Sequence, residues 1–248
     1  MNERQTKILD IVNEHKKIEV VKLSEMLHVS QVTIRKDLDL LTSRGLLIRE
    51  HGYAVLNNSD DINKRLAFNY DTKLRIAKKA AALVNDGETV MIESGSSCAL
   101  LASELAYHKK EVTIITNSAF IASYIKDAPS CKVILLGGDY QKESQVTLGP
   151  MIRLQVADLF VDKLFVGTDG FLRQKGFTGG DMLRCEAVRN MAESAQHVAI
   201  LTDSTKFHQQ GVVLQFRFDQ ISSVFTDEQL SIEDEAVLKE HHIDVYKV

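Results

Sequence analysis

Two groups of residues have types and spacings suited to phosphate chemistry. The first is Ser30, Gln31, Val32, Thr33, Arg35 and Lys36, packed into one short run. Ser30 is a good helix N-cap, and Ile34, Leu38 and Leu41 recur at i, i+4 and i+7. A helix starting here therefore has one apolar face and turns its polar and basic residues elsewhere. Inserted end-first into a major groove, it would offer polar groups to base edges and cations and free amides to phosphates. The plain alternative is an amphipathic helix with a solvated basic face. The second group comprises Ser94, Gly95, Ser96 and Ser97; Thr116, Asn117 and Ser118; Gly137 and Gly138; and Gly167-Thr168-Asp169-Gly170. Small residues let backbone amides approach an anion, and hydroxyls add donors.

These loops need strands to hold them. Apolar strand candidates lie at Thr89–Ile92, Val112–Thr116, Lys132–Leu136, Lys163–Val166, Val198–Thr202, Ser222–Thr226 and Asp244–Tyr246. Helical spacing falls between most of them, at 98–107, 119–126, 152–160, 181–194 and 232–241. Such alternation predicts right-handed crossovers and a mostly parallel sheet, whose ligands bind where loops leave the strands' carboxyl ends. Four successive strand ends finish in small or polar residues, so a shared anion site is expected there. A glycine-rich turn is expected at Lys175-Gly176-Phe177-Thr178-Gly179-Gly180. Lys175 and Lys206 suit a sugar phosphate, and Asp169 and Glu186 suit its hydroxyls.

The basic helix has its own setting. Residues 3–15 carry a buried stripe at Ile8, Leu9, Ile11 and Val12, Ile18 to Val20 form a short β-branched segment, and a second helix runs from Val21 to His28. A tight link then reaches Ser30, giving a helix-turn-helix. Gly45 should end the third helix, and Leu46 to Ile48 should enter a wing that turns at His51 and Gly52. Arg49 and His51 would lie beside the DNA backbone or minor groove. Asn57 to Asp61 is a polar run read as a linker, followed by helical spacing over 62–84. The expected organisation is a winged helix-turn-helix domain at 1–56, a linker at 57–61 and an α/β domain at 62–248.

Composition fits two globular domains: 44% hydrophobic and 26% charged residues over 248 positions. No apolar run approaches the length of a membrane helix, and the amino terminus does not read as a signal peptide, so a cytoplasmic location with no membrane partner is expected. The net charge of −4 divides unevenly. Residues 1–52 hold nine Lys/Arg against eight Asp/Glu, leaving 21 against 26 for the remainder. Attraction for phosphate is thus confined to the head. Cys98, Cys131 and Cys185 form no CxxC pair, and His208, His241 and His242 lack ligand-like partners. No disulfide, metal site or cofactor is expected.

Taken together, these motifs resemble the DeoR family of bacterial transcriptional regulators over essentially the whole chain. In the head they are Arg4, Val29-Ser30, Thr33-Ile34-Arg35-Lys36-Asp37-Leu38, Gly45-Leu46-Leu47 and His51-Gly52. In the body they are Glu93 to Ser96, Thr116-Asn117-Ser118, Gly137-Gly138, Gly167 to Gly170 and Asp203-Ser204-Thr205-Lys206. Tyr53 departs from the family, which usually has a second glycine there. The resemblance implies a body with the fold of sugar phosphate isomerases that senses a phosphorylated sugar, and a repressor binding operator DNA as a dimer or tetramer. It also raises a rival, an isomerase-like enzyme carrying a DNA-binding domain. In ribose phosphate isomerases catalysis is attributed to an Asp-Gly-Ala-Asp-Glu run, a Lys before a glycine-rich turn and a Glu in Arg-Glu-Lys. Here Asp169-Gly170 continues into Phe171 and Leu172, and the third motif is only Arg184-Cys185-Glu186. A partial set supports binding better than turnover, so no catalytic residue is expected.

Overall fold

The computed structural model describes residues 2–43, 46–55 and 62–248, with the side chain of Asn13 excepted. The expected helix end at Gly45 and linker at 57–61 lie outside the described residues. The chain divides into two compact units, Met1–Asp71 and Thr72–Val248.

In the first unit, α1 (Glu3–His15) starts at a capping box. The Asn2 side chain accepts from the Gln5 amide at 2.9 Å, and Gln5 Oε1 accepts from the Asn2 amide at 3.1 Å, which satisfies two otherwise orphaned amides. Next come β1 (Lys17–Glu19), α2 (Val20–Met26) and α3 (Gln31–Ser43). Ile8, Leu9, Val12, Leu23, Ile34, Leu38 and Leu41 are fully buried and form the three-helix core. The wing is β2 (Ile48–Glu50) and β3 (Tyr53–Val55), and the antiparallel sheet order is β1-β3-β2. His51 (φ 34) and Gly52 (φ 88) are both left-handed, the backbone that a two-residue hairpin turn demands. The helical spacing expected over 62–84 is realised as α4 (Ile62–Ala67) and α5 (Tyr70–Ala81), separated where Asn69 adopts φ 50, and the boundary between the two units falls within α5, after Asp71.

The second unit is built on a seven-stranded parallel sheet in the order β15-β14-β12-β9-β4-β5-β6. These are β4 (Thr89–Ile92), β5 (Thr113–Thr116), β6 (Lys132–Leu135), β9 (Val161–Val166), β12 (Ala195–Leu201), β14 (Ser223–Thr226) and β15 (Asp244–Lys247). All seven expected strands are present. The connecting helices are α6 (Ser96–His108), α7 (Ala119–Tyr124), α8 (Pro150–Val156), α9 (Met182–Ala192) and α10 (Ile232–Glu240). The chain runs outward from β4 through β5 to β6, returns to β9 on the other side of β4, and continues away through β12. Residues of α8, α9 and α10 share one buried core that α6 and α7 do not join, in keeping with the right-handed rule for crossovers in a chain that winds outward both ways from β4 and β9. The order of connection reverses between β4 and β9, which opens a crevice at their carboxyl ends. On one side of the sheet Ile152, Val156, Val188, Met191 and Leu238 pack with Leu164, Val166, Ile200 and Val224 in one core.

Two smaller sheets lie outside this frame: the hairpin β7 (Asp139–Gln141) and β8 (Val146–Leu148), and the antiparallel set β10 (Gly170–Leu172), β11 (Gly176–Gly179) and β13 (Val213–Phe216). The glycine-rich turn expected over 175–180 is corrected here, because Gly176–Gly179 is a buried strand and the turn precedes it. The glycines answer to close packing. A Cβ on Gly176 (φ 120) would lie 2.3 Å from the Phe216 carbonyl oxygen, and one on Gly179 would lie 2.4 Å from Cys185 Sγ. Among the described residues no helix is long and apolar enough to cross a membrane.

Candidate nucleic-acid interface and ligand crevice

Helix α3 buries Ile34, Asp37, Leu38 and Leu41 and leaves Ser30, Gln31, Val32, Arg35 and Lys36 exposed, with Thr33 half-buried. The amphipathic spacing thus has the expected outcome, an apolar face inward and the polar and basic residues outward. Ser30 Oγ accepts from the Thr33 amide at 3.2 Å and lies 2.9 Å from Thr33 Oγ1. The cap therefore ties down the first turn and holds the Thr33 hydroxyl. Val32 is 60% exposed, which leaves its methyl groups available to a thymine methyl group.

The two wing residues expected beside the DNA have different settings. His51 is exposed at the turn, but Arg49 is ion-paired with Asp39 of α3, which fastens the wing to the recognition helix. Tyr53 also has a defined place. Its hydroxyl donates to Glu19 Oε1 at 2.9 Å, its ring lies 4.8 Å from Lys17 Nζ, and Lys17 donates to Glu50 Oε2 at 3.0 Å. Tyr53 thus joins β3 to β1, Lys17 carries the link on to β2, and the bond to the Glu19 carboxylate raises the Tyr53 pKa.

In the second unit Glu93 organises the crevice between β4 and β9. Its Oε2 accepts from the Gly95 amide at 2.7 Å and the Gly167 amide at 3.1 Å, and its Oε1 accepts from Ser94 Oγ at 2.8 Å. The two loops nearly touch: a Cβ on Gly95 would lie 3.2 Å from Gly167 Cα. Gly95 is the N-cap of α6, so the helix opens onto this crevice with Ser96 and Ser97 in its first turn. The positive end of a 13-residue helix and its first amides favour an anion there.

The remaining loops arrive at the same sheet edge, mostly with their side chains already engaged. Thr116 Oγ1 accepts from the Ser118 amide, Ser118 caps α7, and Asn117 Nδ2 donates to the Thr147 carbonyl. Gln155 clamps Gly137, accepting from its amide at 2.9 Å and donating to its carbonyl at 3.1 Å. Gly138 (φ 150) leaves room for the Leu148 carbonyl oxygen, which a Cβ would meet at 2.2 Å. Asp169 accepts from the Gly180 amide at 2.9 Å, and Gln215 donates to the Gly167 carbonyl at 3.0 Å. Burial pushes the Cys185 thiol up to about 11, with the Asp169 and Glu93 charges adding to the rise against Arg189 and Arg184.

Four expected residues are exposed or engaged in other contacts. Lys175 is exposed in the turn between β10 and β11. Thr178 is buried within β11, its hydroxyl accepting from the Gly211 amide at 2.8 Å. Glu186 is exposed and lines a different groove with Arg189, Glu193, Gln196 and Asp219. Lys206, in a 3-10 turn after β12, donates to Gln209 Oε1 at 3.0 Å. Gln155 and Gln215, which do hold crevice loops, carry no local signal because their partners lie 18 and 48 residues away. Glu93 stands in the motif that the sequence exposed, yet its role as a bridge depends on the pairing of β4 with β9.

A winged helix-turn-helix unit followed by an α/β unit with a crevice at its switch point is the construction of a DNA-binding transcriptional regulator with a sensor. Residues 4–60 match the DeoR-like helix-turn-helix domain, and residues 68–228 match the DeoR C terminal sensor domain. The chain is 34% identical over 208 residues to the HTH-type transcriptional regulator GolR of Listeria innocua, covering 82% of each protein. It is 32% identical over 256 residues to the HTH-type transcriptional regulator UlaR of Shigella sonnei, covering 99% of this chain and 98% of the relative. Among solved structures it is similar to ribose 5 phosphate isomerase A from Neisseria gonorrhoeae, with 14% identity, 55% and 53% of the two chains covered and a TM-score of 0.42. The chain belongs to the DeoR family, and is a transcriptional regulator rather than an enzyme.

Proposed function

We propose that this regulator represses a carbohydrate-utilisation operon, and that a phosphorylated sugar bound by its sensor domain changes its affinity for operator DNA. The observation that carries the reading is the β4–β9 switch point, where α6 begins at Gly95 and Glu93 ties the Gly95 and Gly167 loops together. The phosphate would take the amides and hydroxyls of Ser96 and Ser97, with the Ser94-Gly95 and Gly167-to-Gly170 loops around the sugar. On the DNA side, Gln31 and Val32 would meet base edges and Thr33, Arg35 and Lys36 the phosphate backbone, with His51 at the wing. Half-site recognition favours a dimer or tetramer working in the cytoplasm. Effector control requires differential affinity for two states, typically about 1 to 3 kcal/mol of coupling.

Thermal unfolding of the full chain with a panel of aldose and ketose phosphates and their unphosphorylated parents tests the sensor assignment. At least one phosphorylated sugar should raise the melting temperature while its parent does not. Ser96→Asp should abolish the shift by placing a negative charge at the helix start. Equal stabilisation by the parent sugars would overturn the reading.

A further inference from the structure

We propose that Asp37 is a positioning residue for DNA recognition, and that its clamp to α1 fixes where α3 presents its reading residues. Asp37 stands directly after Arg35 and Lys36 but points inward, with only 5% of its surface exposed. Both carboxylate oxygens are engaged by adjacent residues of α1. Arg4 Nε donates to Oδ2 at 2.5 Å, and Gln5 Nε2 donates to Oδ1 at 3.0 Å. Gln5 is itself held by the Asn2 capping box, so the chain of contacts runs from the start of α1 to the middle of α3.

The apolar contacts of Ile34, Leu38 and Leu41 define which face of α3 is buried, but such contacts are non-directional and tolerate small slides and rotations. A carboxylate gripped from two sides is directional. It fixes the rotation and axial position of α3 relative to α1, and with them Gln31, Val32, Thr33 and Arg35. The pairing also neutralises an acid that would otherwise oppose the DNA phosphates beside Lys36.

The positioning role and the simple charge effect predict opposite signs. Asp37→Asn removes one negative charge near the DNA face, so by charge alone it strengthens binding to every duplex. A positioning role predicts weaker binding to the preferred sequence only. The experiment compares the full-length wild type and Asp37→Asn on two duplexes, one selected by the wild type from a random pool and one a scrambled version of it. The selected duplex should bind about ten-fold more weakly, on the scale of one lost base contact, while the scrambled duplex binds as well as before or better. A folded Asp37→Asn with an unchanged ratio of the two affinities, or with both affinities raised together, would overturn the proposal. If Asp37→Asn fails to fold, Arg4→Lys decides by the same ratio. It keeps the charge count but lacks the side-on Nε donor, and an unchanged ratio in that variant also refutes the clamp.

Discussion

Glu93→Gln should lower the stability of the sensor domain and raise its affinity for phosphate. Glu93 accepts three hydrogen bonds, from Gly95 at 2.7 Å, Gly167 at 3.1 Å and Ser94 Oγ at 2.8 Å. A glutamine fits the space: its carbonyl oxygen takes the two amides, and the Ser94 hydroxyl turns to accept from the new amino group. Each bond survives without its charge. Charge-assisted bonds are worth roughly twice neutral ones, so the two amide contacts lose about 2 kcal/mol together. In a domain of this size that lowers the melting temperature by about 6 °C. A phosphate on the next amides of α6 would lie about 6 Å from the carboxylate, where repulsion between unit charges at an effective dielectric near 20 is of order 3 kcal/mol. Removing that repulsion should tighten anion binding by up to about 100-fold. Urea unfolding measures the first effect. The stabilisation produced by graded inorganic phosphate measures the second, since it rises as RT ln(1 + [L]/Kd). Unchanged stability would refute the bridging role of Glu93, and weaker phosphate binding would refute the placement of the anion.

Arg35→Ala should weaken binding to the selected duplex and reduce its salt slope by about one counterion, with the sensor domain still folded. Titration at several salt concentrations checks this, and an unchanged affinity would remove Arg35 from the interface. Gly138→Ala should cost at least about 2 kcal/mol, because a positive-φ backbone gains a Cβ that meets the Leu148 carbonyl oxygen at 2.2 Å. Chemical denaturation measures the loss, which should be absent for Gly137→Ala next door, where a Cβ would meet only Gln155 side-chain atoms, the nearest at 3.6 Å. Cys185 supplies a pH dependence. Its folded pKa is raised from 9.0 to about 11, so its contribution is fully present below pH 9 and is lost as pH rises towards 11, at up to about 1.4 kcal/mol per pH unit. Comparing unfolding at pH 8 and pH 10.5 for wild type and Cys185→Ala isolates it, and parallel pH profiles would contradict the assignment.

Much of the architecture was legible because the chain announces it locally. The Ser30 cap and the 3.6-residue spacing of Ile34, Leu38 and Leu41 predict α3, and seven apolar runs match the seven strands of the parallel sheet. The misreadings have physical causes. Gly176 to Gly179 read as a turn because glycine usually marks one, whereas here it allows β11 to lie against Phe216 and Cys185. The helical spacing over 62–84 is met by two helices, and the break between them, the left-handed Asn69, is a single residue that periodicity does not register. The candidate crevice was half visible. Its loops were evident, but the choice of β4 and β9 as its walls depends on strand order. Residue type alone did not separate Ser96 and Ser97, which open onto the helix start, from Thr116 and Ser118, whose hydroxyls brace the backbone.

In the proposed function, occupancy of the sensor domain changes affinity for DNA. The most direct test measures binding of the full-length protein to its selected duplex with and without each member of the sugar phosphate panel, at fixed salt. The account predicts that one phosphorylated sugar shifts Kd by about 5-fold or more, that its unphosphorylated parent does not, and that Ser96→Asp removes the response. If none of the panel shifts Kd, or if the parent sugar acts equally well, the account is contradicted.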